Sequence, residues 1–355
     1  MMSLSRALIT VALPCLVSAQ SGFSPIFGGL HSGSGLALGL EYRKSGVVVR
    51  PLDFTVRGIG SVKRYEFLEA GFALPRLAGG RLFADTTARY RNFPEEDFWG
   101  LGPASPKDGR TNFRLEDIDY SLSFGFRPVE GVEAGVTVGS TYVNTGPGKD
   151  GDWPSIEQRF TASEVPALER QSDYFHWGAF LRADRRDEPG DPRRGGFYQF
   201  RWTSYRDRDS RLYDFRRYEI DLRHFFPVFW ERDTLAFRAR TILSEKRSGQ
   251  QVPFFLQPAL GGGDLRGYDP SRFRDENALV LNLEYRWRIR EMFQAVGFAD
   301  AGRVFKGPRQ IGLAGLRFSA GVGGRVKLGD RILLGADLGW SPEGLHLRFR
   351  TAHSF

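Results

Sequence analysis

Beyond its first twenty residues the chain has no apolar run of the length a membrane-spanning helix needs, ~20 residues, yet apolar and polar residues alternate one by one over long stretches. Alternation with period two places successive side chains on opposite faces of a strand. In NALVLNLEYRWRI (277–289), Leu279, Leu281, Leu283, Tyr285, Trp287 and Ile289 share one face, and Asn282, Glu284, Arg286 and Arg288 share the other. Tyr218, Ile220 and Leu222 oppose Arg217, Glu219, Asp221 and Arg223 in the same way. Ile118, Tyr120, Leu122, Phe124 and Phe126 oppose Asp117, Asp119, Ser121 and Ser123. A chain patterned like this must pair strands, and any that crosses a membrane must close them into a barrel, because lipid leaves open sheet edges unsatisfied.

A soluble sandwich also alternates, with its polar face in water. Composition and extent favour the barrel. The chain is polar on average, with a mean hydropathy of −0.35, yet 14% of its residues are aromatic and 43 are glycine. An apolar lipid face with aromatic girdles around a polar lumen requires that combination. The apolar faces also recur along the whole chain. Five strands are expected after residue 276, near 277–289, 292–302, 313–327, 330–340 and 344–355. Ten are expected before it, near 33–43, 46–57, 61–74, 80–93, 111–126, 130–143, 173–183, 195–206, 211–225 and 231–243. An even number with both ends on the periplasmic side calls for one more, and GFSPIFGGL (22–30) is the candidate. The expected fold is all-β: a transmembrane antiparallel β-barrel of about sixteen strands. The long connections 94–110, 144–172 and 244–276 then lie outside the cell.

The first twenty residues bear on the compartment. MMSLSR is basic, ALITVALPCLV is an apolar run, and VSA precedes Gln20. These are the parts of a secretory signal peptide, expected at 1–19, with the barrel at 20–355. Cys15 is the only cysteine and would leave with it, so disulfides, thiol chemistry and cysteine metal sites are not expected. The net charge of +8 is scattered along strands rather than gathered in a tail, so nucleic acid is not an expected partner. The lipid bilayer of a Gram-negative outer membrane is.

One connection stands apart. GGGDLRGYDP (261–270) places glycines around Arg266 and a stiff exit at Pro270. With the strand after it, this segment resembles the BamA/TamA-type outer-membrane assembly and secretion barrels (the bacterial surface antigen family), here at Leu265-Arg266-Gly267-Tyr268. ADRRDEPGDPRRGGFYQF (183–200) resembles that family's Arg-Asp…Pro…Gly turn between the eighth and ninth strands. GFADAGRVF (297–305) resembles its Phe-x-Asp-x-Gly strand, here Phe298, Asp300 and Gly302. DFWGLGP (97–103) resembles its aromatic-Gly-x-Gly element. The chain also ends in an alternating segment on Phe355, which resembles the recognition signal of bacterial outer-membrane barrels.

The resemblance implies that the long loop folds inward and that Arg266 meets acidic residues on strands twelve and thirteen, namely Asp300 with Glu284 nearby. It implies a role in insertion, assembly or translocation of proteins, with client outer-membrane proteins and a separate periplasmic partner as expected partners. The family's periplasmic POTRA domains are not expected here, since residues 20–32 are all that separate the cleavage site from the second strand. The implied lateral seam joins a first strand containing Pro25, Gly28 and Gly29 to the last strand, at Phe355. Glycine weakens a strand and proline removes a donor, so such a seam could open; a first strand that merely frays is the plain alternative.

Enzymatic chemistry is not expected. None of the five histidines has metalloprotease spacing, and GVGGRVKLG lacks the following helix of a dinucleotide site. No cofactor, metal site or catalytic residue is expected. The many inward arginines, among them Arg223, Arg238, Arg240, Arg286, Arg288, Arg348 and Arg350, fit either an anion-selective lumen or cross-strand pairing with Glu219, Asp221 and Glu284. A passive or solute-selective pore and a structural surface barrel are the alternative functions.

Overall fold

The computed structural model describes residues 21–27, 30, 33–47, 52–229, 232–328, 331–351 and 353–355. The expected signal peptide and Gly28 and Gly29 of the expected seam lie outside them. Sixteen strands form one antiparallel sheet in chain order. They are β1 (Gly22–Phe27), β2 (Ala37–Ser45), β3 (Asp53–Ser61), β4 (Glu66–Leu77), β5 (Leu82–Phe98), β6 (Thr111–Phe126), β7 (Val132–Pro147), β8 (Tyr174–Asp184), β9 (Gly195–Asp207), β10 (Phe215–Pro227), β11 (Asp233–Lys246), β14 (Asn277–Arg290), β15 (Phe293–Phe305), β16 (Arg317–Leu328), β17 (Arg331–Ser341) and β18 (Gly344–Arg350). Between β11 and β14 a two-stranded ladder, β12 (Ala259–Leu260) with β13 (Phe273–Arg274), closes the neck of the long loop. No helix among the described residues is long and apolar enough to cross a membrane.

The two faces of the sheet separate as the alternation requires. Leu283, Tyr285, Trp287 and Ile289 are exposed on β14, while Asn282, Glu284 and Arg286 between them are buried. The polar face is knitted by ion pairs, such as Arg238 to Asp221 at 2.8 Å and Arg240 to Glu219 at 3.6 Å. All seven inward arginines singled out above have partners. Arg223 pairs with Asp221, Arg286 with Glu284, Arg288 with Asp191 and Arg350 with Asp337, and Arg348 donates to loop carbonyls. Three of these contacts cross between strands, two lie within a strand and two reach a turn or the loop, so local pairing describes the arginines better than a ring of free charge.

Successive antiparallel strands put the long connections 99–110, 148–173 and 247–276 at one end and the short turns 78–81, 127–131, 228–232 and 291–292 at the other. At the long-loop end, Val165 and Leu168 from 148–173 join Phe254, Phe255 and Leu256 in an apolar cluster with Phe98, Phe113 and Tyr174. That cluster covers this mouth with buried side chains rather than leaving it open.

Three details differ from the periodicity. The first hairpins sit later in the chain than expected, because 62–65 forms the turn. Arg64 takes a left-handed φ of 61°, and the Tyr65 N–H donates to the Ser61 hydroxyl at 3.1 Å. Strand β5 runs past Pro94 to Phe98; the missing N–H is absorbed by a register shift between Phe93 and Glu96. Finally, β18 stops at Arg350, and Phe355 does not continue the lipid-facing row of Leu345, Leu347 and Phe349. Its ring is buried and packs toward Phe225, on the inward face of β10. An aromatic ring beside the Arg286 guanidinium at 5.4 Å gains a cation–π contact there.

Candidate functional site

The long loop owes its shape to its glycines. Gly261 and Gly262 take φ of 125° and 65°, conformations that side chains resist. The Gly262 N–H then donates to the Tyr268 carbonyl at 3.1 Å, and the Tyr268 N–H to the Leu265 carbonyl at 3.2 Å. This compact tip lies on the polar face of β14–β18. Leu265 is fully buried with Leu260, Tyr268, Phe273, Ala278, Val280 and Val304. The Tyr268 hydroxyl donates to the Phe318 carbonyl at 3.2 Å.

Arg266 is 0% exposed. Its Nε donates to Asp300 Oδ2 at 2.8 Å and its Nη2 to Asp300 Oδ1 at 2.6 Å, a two-pronged contact. Its backbone N–H adds a third bond to Asp300 at 3.1 Å, and its Nη1 donates to Glu284 and, at 3.1 Å, to the Ser354 hydroxyl. The guanidinium also stacks 3.6 Å above the Phe298 ring. Burying a lone cation costs several kcal/mol; two carboxylates and an aromatic face offset that, and fork geometry makes arginine the suitable cation. Gly302, the third residue of the β15 motif, leaves space for the loop: a Cβ there would lie 3.2 Å from both Leu260 and Leu265.

The structure adds contacts that sequence reading did not assign. Asp337 on β17 pairs with Arg325 and Arg350, both at 2.6 Å, and lies 3.9 Å from Arg266. Asn282 donates to Asp300 at 2.8 Å and to the Asp264 carbonyl at 2.9 Å. Arg348 donates to the Tyr268 carbonyl and to the Arg266 carbonyl, the latter at 3.3 Å, and the Ser341 hydroxyl to the Gly267 carbonyl at 2.5 Å. The tip touches β17 backbone to backbone. A Cβ on Gly267 would stand 2.7 Å from Trp340 main-chain atoms, and one on Gly339 would stand 2.7 Å from those of Arg266. Asp337 is the only acidic residue in 331–341 and falls on the inward parity, a signal that could have marked it. Nothing local marks Gly339.

Further along the loop, Arg272 donates to Ser105 at 2.9 Å and to Glu343 at 2.8 Å, and it stacks 5.0 Å from the Trp99 ring. The Gly102 N–H donates to the Arg274 carbonyl at 2.8 Å. The 97–103 element and the long loop are thus held against each other. Of the seam residues, Phe355 is in the lumen as described, and no ladder joins β1 to β18 among the described residues.

Together these features define a sixteen-stranded membrane barrel whose lumen holds a long loop by an arginine at its tip. Residues 34–349 match the Omp85 superfamily domain, and the chain belongs to that superfamily of outer-membrane barrels. Among solved structures it is similar to BamA from Haemophilus ducreyi lacking POTRA domains 1–3, with a TM-score of 0.68, 13% identity, and coverage of 93% of this chain and 70% of that one. It is also similar to CdiB from Escherichia coli, with a TM-score of 0.58, 16% identity, and coverage of 93% and 61%. For CdiB from Acinetobacter baumannii the TM-score is 0.54, the identity 13%, and the coverage 93% and 56%. The chain thus spans little more than half the length of the CdiB proteins. No curated protein sequence matches it.

Proposed function

We propose that this barrel assists the insertion or translocation of proteins at the outer membrane through a lateral seam between β1 and β18. Arg266 holds the loop and the last strands in register while the seam works. Membership of a superfamily of protein assembly and secretion barrels supports the reading. The observation that carries it is the sheet's two ends: β1 pairs with β2 alone among the described residues, and β18 with β17 alone. A strand with a free edge can take up another by main-chain hydrogen bonds. The clients on this reading are nascent outer-membrane strands, presented by a separate periplasmic partner.

A photo-crosslinker at Ser24 tests it, because that residue lies on β1. We expect ultraviolet light to trap nascent barrel proteins there, and far fewer when the crosslinker replaces Ser123 in the middle of the wall. Equal trapping at the two positions would remove the seam from the mechanism. A steady ion conductance with no trapped client would favour the passive pore.

A further inference from the structure

The turn between β8 and β9 carries a buried carboxylate that the Arg266 site does not use. Asp191 is 1% exposed. It accepts from Arg288 of β14 at 2.8 Å, from Lys327 of β16, and from His353 Nε2 at 2.9 Å. A carboxylate can only accept here, so Nε2 carries the imidazole proton. The turn that presents Asp191 is itself braced. Asp187 Oδ1 accepts from the N–H groups of Arg193 and Arg194 at 3.0 and 3.2 Å, and Arg186 pairs with Asp184 at 2.7 Å.

The partners on the other side belong to the segment after β18. Beyond His353, the Ser354 hydroxyl accepts from Arg266 at 3.1 Å and from Arg350 at 2.5 Å. The Phe355 carbonyl accepts from Arg286 at 3.2 Å, and that guanidinium stands 5.4 Å from the rings of both Phe225 and Phe355. In sheet order β8 and β9 are the eighth and ninth strands and β18 is the sixteenth, so they occupy opposite walls. Asp191 also bonds Arg288 of β14 and Lys327 of β16, so the turn reaches across the lumen to the wall beside β18, where the tail meets it.

We propose that the 185–194 turn and residues 353–355 form a latch across the periplasmic end of the lumen, and that releasing the tail from Asp191 opens the lumen from that side. The latch lies at the short-turn end, opposite the apolar cluster over the outer mouth. Because Ser354 also bonds Arg266, the tail connects the latch to the loop tip. The inference goes beyond the assembly reading and holds whichever substrate the barrel serves.

The test uses the full chain in detergent, with Cys15→Ser to remove the native thiol and Ser354→Cys as a reporter on the tail. The reporter reacts with a water-soluble maleimide only when the tail leaves the lumen. Losing a hydrogen-bonded charge contact shifts such an opening equilibrium by roughly tenfold or more. We expect Asp191→Asn to speed labelling by about that factor, and a separate Ser123→Cys reporter on the polar face of β6 to label faster with it. His353→Ala is the second variant, because it removes the tail's bond to Asp191 yet leaves Asp191 paired with Lys327 and Arg288; it decides the question if Asp191→Asn does not fold. Folding is checked by heat-modifiable gel mobility. Equal labelling rates in the parent and in the folded variants would overturn the latch. Faster labelling of the tail without faster labelling at Ser123→Cys would overturn the closure.

Discussion

Between β14 and β18 the wall is pinned from inside by Arg266, Arg286, Arg325 and Arg350 set against Glu284, Asp300 and Asp337, whereas β1 on the other side of the seam has six residues paired to β2 and includes Pro25. The ion pairs near β1 are partly exposed, such as Arg43 with Glu41 at 2.6 Å. Proline within a strand belongs at an edge, where its missing donor faces no partner. Both borders of the proposed seam are edges among the described residues, but only one is braced by a buried network. Opening of the proposed seam should therefore displace β1 and leave β18 in place, because moving β18 would strain the Arg348 contact to the loop tip and the Arg350 pair with Asp337.

That asymmetry can be broken in stages. Asp300→Ala leaves a buried guanidinium without its two-pronged partner, and removing one member of a buried pair costs about 3–5 kcal/mol. We expect a correspondingly large loss of stability in denaturant titrations in detergent, with the loop more open to protease. Gly267→Ala is next. Its Cβ would meet the β17 main chain at 2.7 Å, and overpacking of that kind costs about 1–3 kcal/mol. We expect loop protection to fall while the β1–β4 sector is unchanged.

Acid should also act on the braced side. Burial, with the Arg286 cation nearby, pushes His353 down to about 4 from 6.5. Burial alone would raise Asp191, but its bonds from His353 and Lys327 hold it below the usual carboxylate range. Between pH ~4 and ~6.5 the unfolded chain then binds the histidine proton and the folded one does not, so stability rises with pH there, by at most about 1.4 kcal/mol per unit. Denaturation midpoints measured across that window should climb, and His353→Ala should flatten the climb. On the weak side, Glu41→Gln removes an exposed pair and should change stability by less than about 0.5 kcal/mol. A loss as large as that of Asp300→Ala would abolish the asymmetry.

Much of the wall was legible in the sequence because a strand declares its faces by alternation. The period-two pattern yields fifteen strands, the even-number rule adds the first, and the alternation of 277–289 places Glu284 on the polar side, while Asp300 as its neighbour comes from the family resemblance. It is blind to what crosses the lumen. Gly339 matters because a loop begun some eighty residues earlier rests on its backbone, and no local pattern records that. Phe355 misled for a related reason: its spacing continues a lipid-facing row, but the chain leaves the sheet at Arg350 and turns toward Arg286 and Phe225. Pro94 reads as a strand end when a register shift in fact carries β5 through it.

The most direct measurement depletes the protein from its host and quantifies the outer-membrane proteome, with rescue by the wild-type chain or by Arg266→Ala. We expect many unrelated barrel proteins to fall together and to recover only with the wild-type chain. An unchanged proteome after depletion would contradict a general assembly role, and full rescue by Arg266→Ala would show that the loop-tip arginine is dispensable to it.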